Sequence, residues 1–375
     1  MTGADSELRV VCATSNATLA PHLDSWRSLA EHARHGEWWA GPDWILPWLS
    51  AFGDSVVPAV HFVYESSLLV GVVPMVSLRR RRFGSARWTF PRNTHVRRIG
   101  WLSDIPPARL LAAVYRECRR LHPHSALALP LVPQEEKWEI PIESAIADCS
   151  LLSYRVEESA SAVADLSNGW EAFLRNRDAK WLRSLKRHLK RLDPETGWQF
   201  ECHRDTSTVD DGWQALLEIE RRSWKYQNGS AIVNEPGTAA LYEGVVQRFA
   251  ERRALHLWIL RHDGRAIAHT LGVMDRGCYF LLKNSFDEEY RSWSPGLTLV
   301  WHSMKAAAEH GALRIDFLGD ASEWKRPLAT EFPTYASWTI YPRTHLIARC
   351  RAFVEQVVKP LWRRARTTTP GRRSP

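Results

Sequence analysis

Residues 254–284 read ALHLWILRHDGRAIAHTLGVMDRGCYFLLKN. Three apolar runs are separated by Asp263-Gly264 and Arg276-Gly277. A two-residue link ending in glycine is a hairpin turn, because its central residues take left-handed backbone. The stretch therefore predicts an antiparallel meander with strands over 254–262, 265–274 and 278–284. It runs directly into SFDEEYRSWSPGLTLV, residues 285–300. Here Ser294 suits a helix N-cap and Pro295 the first helical position. Leu297, Trp301, Met304 and Ala308 then recur at intervals of four, three and four, and Gly311 stands where a left-handed C-terminal cap is wanted. A helix start offers unpaired N–H groups and a partial positive charge. Gly296 lets a ligand approach the backbone closely. Strand, loop and helix start together predict an anion site suited to phosphate.

The same plan occurs earlier in the chain. DSWRSLA (24–30) and DGWQALL (211–217) share an acid, a Trp two residues on and a Leu three further. Downstream of the first copy, VPAVHFVYE (57–65) and LLVGVVPMVSL (68–78) read as strands joined at Ser66-Ser67. Each half thus reads as helices followed by an antiparallel meander, a duplicated α+β unit. The expected units are 8–155 and 165–345, followed by a C-terminal helix and a basic disordered tail over 346–375.

Between the units, ESASAVADLSNG is small and polar, and then a strong helix begins. Asn168 and Glu171 have capping-box spacing. Leu182, Leu185, Leu189 and Leu192 form one apolar stripe, and Pro194 and Gly197 end the helix. Its other faces carry Lys180, Arg183, Lys186, Arg187, Lys190 and Arg191. Such a run is either a solvated face or an electropositive wall for phosphates or an acidic substrate.

The totals restrict the class. No stretch approaches the ~18 apolar residues of a membrane span. The N-terminus lacks a basic region followed by an apolar core, so a cytoplasmic protein is expected. The six cysteines are scattered without a CxxC pair, which fits reduced thiols. His122 and His124 form a lone HxH without a third ligand nearby, so no metal is expected. Of the +8 net charge, five charges lie at Arg363, Arg364, Arg366, Arg372 and Arg373. That tail is suited to solvent or to peripheral contact with an anionic membrane, and DNA is not an expected partner. No Gly-x-Ser-x-Gly, HExxH, Walker or GxGxxG motif is present, which argues against hydrolase, metalloprotease, P-loop and Rossmann readings.

Arg291-Ser-Trp-Ser294-Pro295-Gly296 resembles the R/Q-x-x-G-x-G/A pyrophosphate loop of the GNAT acyltransferase superfamily, with Ser294 where the first Gly is usual. The second half resembles the CelD-like acetyltransferases through WLRSLKRHLKRL, IERRSW, RAIAH, the SPG turn and DFLGDASEWKRPL (316–328). The first half resembles the same family more loosely through PDWILPW and GVVPMVSLRRRRFG. The resemblance spans roughly residues 8–345. It implies two GNAT-like units side by side, each a mixed, mostly antiparallel sheet flanked by helices, as in the Fem-type transferases. Only the second is expected to bind acyl-CoA. Arg79–Gly84 formally fits R-x-x-x-x-G, but SARWTFP follows as strand rather than helix, so it lacks the dipole of a phosphate loop.

The implied activity is transfer of an acyl group, acetyl in the first instance, from CoA to an amine, such as that of an amino sugar or a polysaccharide or secondary-metabolite precursor. Expected cofactor contacts are Lys283, Arg291, Ser294, Gly296, Leu297 and Thr298. Asp316 is a candidate base or a strand-end strut. Glu323 lies in the same cleft loop, and Tyr290 is a candidate acid for the leaving thiolate. Trp224, Tyr226 and Lys325 are expected at the acceptor. The carbonyl would be polarised by a backbone N–H of the strand 278–284. Two other readings stand beside this one. One is a Fem-like transferase using charged tRNA. The other is a non-catalytic scaffold of the same fold.

Overall fold

A computed structural model describes residues 7–78, 87–92, 98–123, 125–343, 350 and 354. The Arg79–Gly84 run, His124 and the basic tail lie outside the described residues.

The strands in chain order are β1 Leu8–Ala13, β2 His35–Gly36, β3 Val56–Glu65, β4 Leu68–Leu78, β5 Arg87–Thr89, β6 Leu102–Ser103, β7 Ala126–Pro133, β8 Leu151–Glu157, β9 Val163–Asp165, β10 Trp198–His203, β11 Leu255–His262, β12 Arg265–Asp275, β13 Cys278–Phe286, β14 Arg314–Asp316 and β15 Tyr335–Pro342. They form two mixed, mostly antiparallel sheets. The first runs β1-β3-β4-β5-β7-β15-β8, with β6 on β4 and β2 on β6; the second runs β10-β11-β12-β13-β14-β9. The tandem α+β organisation is therefore present.

The predicted meander is β11, β12 and β13. Asp263 and Gly264 have φ of 48° and 78°, and Arg276 and Gly277 have 44° and 73°, the left-handed pairs that reverse a chain in two residues. The repeated Trp positions also agree. Trp26, on the helix Leu23–His32, and Trp213, on the helix Val209–Arg222, are both buried in one apolar core.

That core is shared by both units. Trp38 packs edge-on against Phe249 at 5.2 Å and lies 5.8 Å from Phe280. The helix Pro42–Phe52, which contains PDWILPW, lies along the helix Pro236–Glu251. A Cβ on Gly244 would come within 2.9 Å of the Pro47 side chain, so only glycine permits this spacing.

Two expectations are corrected. The strand Tyr335–Pro342 does not join the second sheet; it pairs with β7 and β8 of the first. The boundary at 345 thus follows the sequence but not the strands. The helix after the linker is capped at Gly169, at φ 83°, without a side-chain bond from Asn168. It breaks after Arg175 and restarts at Ala179, where the Asp178 side chain accepts from the Trp181 amide at 2.6 Å. The apolar stripe is retained, with Leu185 buried and Leu182 and Leu189 packed beside it. Lys180, Arg183, Lys186, Arg187, Lys190 and Arg191 are all exposed.

Candidate active site

The cleft arises from two departures from regular sheet. β13 pairs in parallel with β14 only over Cys278–Phe280. Beyond that point the two strands part, and 281–286 has no strand on that side. Within β13, Leu271 faces Lys283 across the ladder while Gly272 faces Leu281, so Leu282 is an extra residue. A bulge of this kind lets consecutive side chains share one face. Leu282 joins the core that contains Tyr242, and the Lys283 ammonium lies 5.8 Å from the Tyr242 ring.

A cavity of about 700 Å³ occupies the split. Its walls are 281–286 of β13, the chain from 317 to 325 after β14, Trp224 and Lys225, and the Arg291–Leu297 loop. Of the predicted residues, Trp224, Lys283, Arg291, Ser294, Gly296, Leu297 and Lys325 therefore meet in one cavity.

The helix Pro295–Glu309 begins at its rim. Ser294 is the N-cap, as predicted, but takes left-handed backbone (φ 53°, ψ 43°), and its side chain makes no capping bond. This is a conformation that glycine adopts freely and other L-residues pay for. Pro295 has no amide hydrogen, and the Thr298 amide donates to the Ser294 carbonyl at 3.1 Å. The amides of Gly296 and Leu297 are left without intrahelical acceptors, in the way first-turn amides are. Gly296 has a packing reason as well as a ligand reason: a Cβ there would lie 2.8 Å from the Phe286 ring.

Several predicted residues sit elsewhere. Thr298 is fully buried, with its hydroxyl spent on the Ser294 carbonyl at 2.8 Å. Tyr290 packs edge-on to Trp198 at 6.0 Å and beneath Arg265 at 5.6 Å, outside the cavity. Glu323 is exposed on the outer side of its loop, and Tyr226 is exposed outside the lining. Asp316 is buried behind the wall, where Arg98 of the first unit binds both its oxygens and the Leu318 amide donates to Oδ1 at 2.8 Å. With both oxygens engaged, it is placed as a strut. The Arg291 guanidinium is tied to Glu288 at 2.5 Å, which leaves it at the mouth as half of an ion pair.

Lys325 donates to the carbonyls of Leu318 at 2.6 Å and Asp320 at 2.9 Å. It thereby holds the left-handed pair Leu318 and Gly319, φ 49° and 56°, that shapes one wall. Burial lowers its pKa to about 8, against the opposing pull of Asp316 and Asp320. Lys283 is nine-tenths buried. Burial, followed by the charge of Lys225, lowers it to about 7.

Sequence reading missed a buried polar group behind this wall. His269 Nε2 lies 3.1 Å from Glu220 Oε1, and both side chains are fully buried. Burial lowers the His269 pKa. A carboxylate only accepts, so neutral His269 donates. Burial works to protonate Glu220, but the His269 bond, the Lys225 charge and the Ile232 amide outweigh it and hold it ionised. Lys225 in turn donates to the Asn284 carbonyl on the cavity side. IERRSW contains Glu220 and RAIAH contains His269, but nothing in their spacing couples residues 49 apart.

The comparisons agree with this geometry. Residues 179–326 match the family model described as an acetyltransferase (GNAT) domain. No curated protein matches the chain. Among solved structures, FemX is similar at a TM-score of 0.59 and 11% identity, covering 93% of this chain and 100% of that one. A conserved protein of unknown function from Bacteroides thetaiotaomicron VPI-5482 is similar at 0.56 and 12%, covering 88% and 100%. L-PGS from Bacillus licheniformis is similar at 0.50 and 8%, covering 92% and 97%. At these identities the structures show fold alone. Residues 179–326 thus match a GNAT-type acetyltransferase domain, and the chain as a whole shares the tandem fold of these structures.

Proposed function

We propose that the protein is an acyl-CoA-dependent N-acyltransferase, with acetyl-CoA as donor and an amine as acceptor, of the CelD-like kind. The observation that carries this is the Ser294–Pro295–Gly296 helix start opening onto the split between β13 and β14. The free amides of Gly296 and Leu297 and the helix dipole suit the CoA diphosphate. The split would take the pantetheine arm and bring the thioester to the bulged strand, whose unpaired edge can supply a backbone donor to the carbonyl oxygen. The amine would enter past Trp224, which is 42% exposed at the cavity wall. On attack, a C–N bond forms, the C–S bond breaks and the nitrogen loses a proton. Asp316, held by Arg98, is not placed to take that proton; the cavity's own candidates are Lys225, Lys283, Lys325 and Asp320.

The test is thermal stabilisation by acetyl-CoA, compared between wild type and Ser294→Asp. Aspartate tolerates left-handed backbone and complements the helix start, but its charge opposes a diphosphate. At ~100 times the dissociation constant, acetyl-CoA should stabilise the wild type by ~2.7 kcal/mol. A folded Ser294→Asp protein should show little shift. Absence of any wild-type shift would exclude the CoA reading.

A second reading is a Fem-like transferase with an aminoacyl-tRNA donor. One observation favours it: the exposed cationic face of Ala179–Arg191 adjoins the same loop. Arg191 donates to the Ser292 carbonyl at 3.1 Å and lies 4.3 Å over the Trp293 ring. Steeply salt-dependent tRNA binding, lost on reversing those charges, would select it.

A further inference from the structure

Lys283 is nine-tenths buried, lines the cavity and has no hydrogen bond to any described residue. Its ammonium lies over the Tyr242 ring, 5.8 Å from the ring centre. A buried ammonium without an acceptor is expensive, so such a group calls for a partner from outside the protein. The surroundings have the same sign. Lys225 and Lys325 line the same cavity, and each has ammonium protons beyond those given to backbone carbonyls. Arg291 is neutralised by Glu288 at the mouth. Among the lining side chains the one acid is Asp320, which accepts from Ser159 at 2.6 Å. Glu220, behind the wall, offsets Lys225 through space. It acts on Lys283 as well, but less than the opposing charge of Lys225, and no described carboxylate is bonded to Lys283.

We infer that Lys283, supported by Lys225 and Lys325, forms an anion subsite in the inner part of the cleft, distinct from the helix start, so that the acceptor amine belongs to a molecule bearing a carboxylate or phosphate. Acidic acceptors of this class include amino acids, amino-sugar acids and amino-sugar phosphates. The assignment of this anion to the acceptor rests on the acyl-CoA reading; the subsite itself does not. An anion there would complete the hydrogen bonding of Lys283 and return the amine to its charged form on binding. Substrate selection would follow from the same physics, since a neutral acceptor leaves the ammonium unpaired.

The test is calorimetric titration of inorganic phosphate, and separately acetate, into the free protein and into protein saturated with acetyl-CoA. Wild type, Lys283→Met and Lys283→Arg are compared. At least one anion should bind both forms of the wild type. Lys283→Met should weaken that binding at least tenfold and Lys283→Arg much less, with acetyl-CoA affinity unchanged within twofold in both variants. Unchanged anion binding in a folded Lys283→Met protein overturns the subsite, as does the absence of binding by either anion to the wild type. Exclusion of the anion by acetyl-CoA, or loss of acetyl-CoA affinity in Lys283→Met, assigns the lysine to the CoA diphosphate and overturns the acceptor proposal. If acetyl-CoA itself does not bind the wild type, the donor reading fails, and the free-protein titrations still decide whether Lys283 is an anion site.

Discussion

Arg98, from the first unit, closes on both carboxylate oxygens of Asp316, at the end of a short strand in the second. Ser161 adds a third contact, 3.1 Å from the same guanidinium. The pair is buried on both sides, so removing either partner strands a charge away from water. Asp316→Leu or Arg98→Met should each cost ~3–5 kcal/mol. The double variant Arg98→Met with Asp316→Leu should recover much of that loss. Urea denaturation of the three proteins measures the coupling. Near-additive losses would show that the pair does not act as a unit.

Ser294 occupies left-handed backbone without a capping bond to compensate. Left-handed geometry costs an L-residue ~1–2 kcal/mol, and the extra unfolded-state freedom of glycine returns ~0.4–1 kcal/mol of that. Ser294→Gly should therefore stabilise the fold by roughly 0.5–1 kcal/mol and should not weaken acetyl-CoA. Denaturant midpoints and acetyl-CoA titration check the two halves of this expectation.

Gly296 and Phe286 share a space that admits no Cβ, with a 2.8 Å approach to the ring. Gly296→Ala should destabilise by ~1–3 kcal/mol through overpacking. The same substitution made in a Phe286→Ala background should cost less, because the ring is gone. Equal penalties in both backgrounds would refute the packing account.

The Lys283 pKa falls from 10.5 to about 7 in the folded protein. Between those values the unfolded chain binds the proton and the native state does not, so stability rises with pH across that window. Below about pH 7 both states are protonated and the burial penalty is present in full. The slope from one such group approaches ~1.4 kcal/mol per pH unit. Lys325, lowered to about 8, adds to the upper part of the window. Lys283→Met should flatten the stability curve mainly between pH 7 and 10. Parallel curves for wild type and variant would contradict the burial.

Local signals were read well where one physical rule dominated. The Asp-Gly and Arg-Gly turns fixed the meander because few residues tolerate paired left-handed backbone. The SPG start was visible because proline and glycine leave few alternatives at a helix N-terminus. Lys283, expected at the cofactor, and Lys325, expected at the acceptor, line one cavity. Long-range facts were not legible. The claim of Arg98 on Asp316 spans 218 residues, and no local pattern announces it. Tyr290, a candidate acid for the leaving thiolate by sequence, packs its ring against Trp198 and Arg265. Glu323 differs from Lys325 by two positions and one turn of loop, which is enough to send it outward. The Leu282 bulge, which aims Lys283, is a register event that a single strand's composition does not encode.

β15 lies between β7 and β8, and among the described strands β8 has no other neighbour. The first sheet is thus opened at Glu157 and closed only by Tyr335, with the whole second sheet strung between. On a ribosome the second sheet would have all its strands available once Asp316 emerges, while β8 still lacks its only strand partner. The unit synthesised first is therefore the unit finished last. A late, distant strand of this kind is slow to find its place, since the closure entropy must be met before the pairing repays it. A break near residue 330 would release no free-standing second unit: it would leave β8 unpaired and the first sheet with two raw edges in place of a continuous surface.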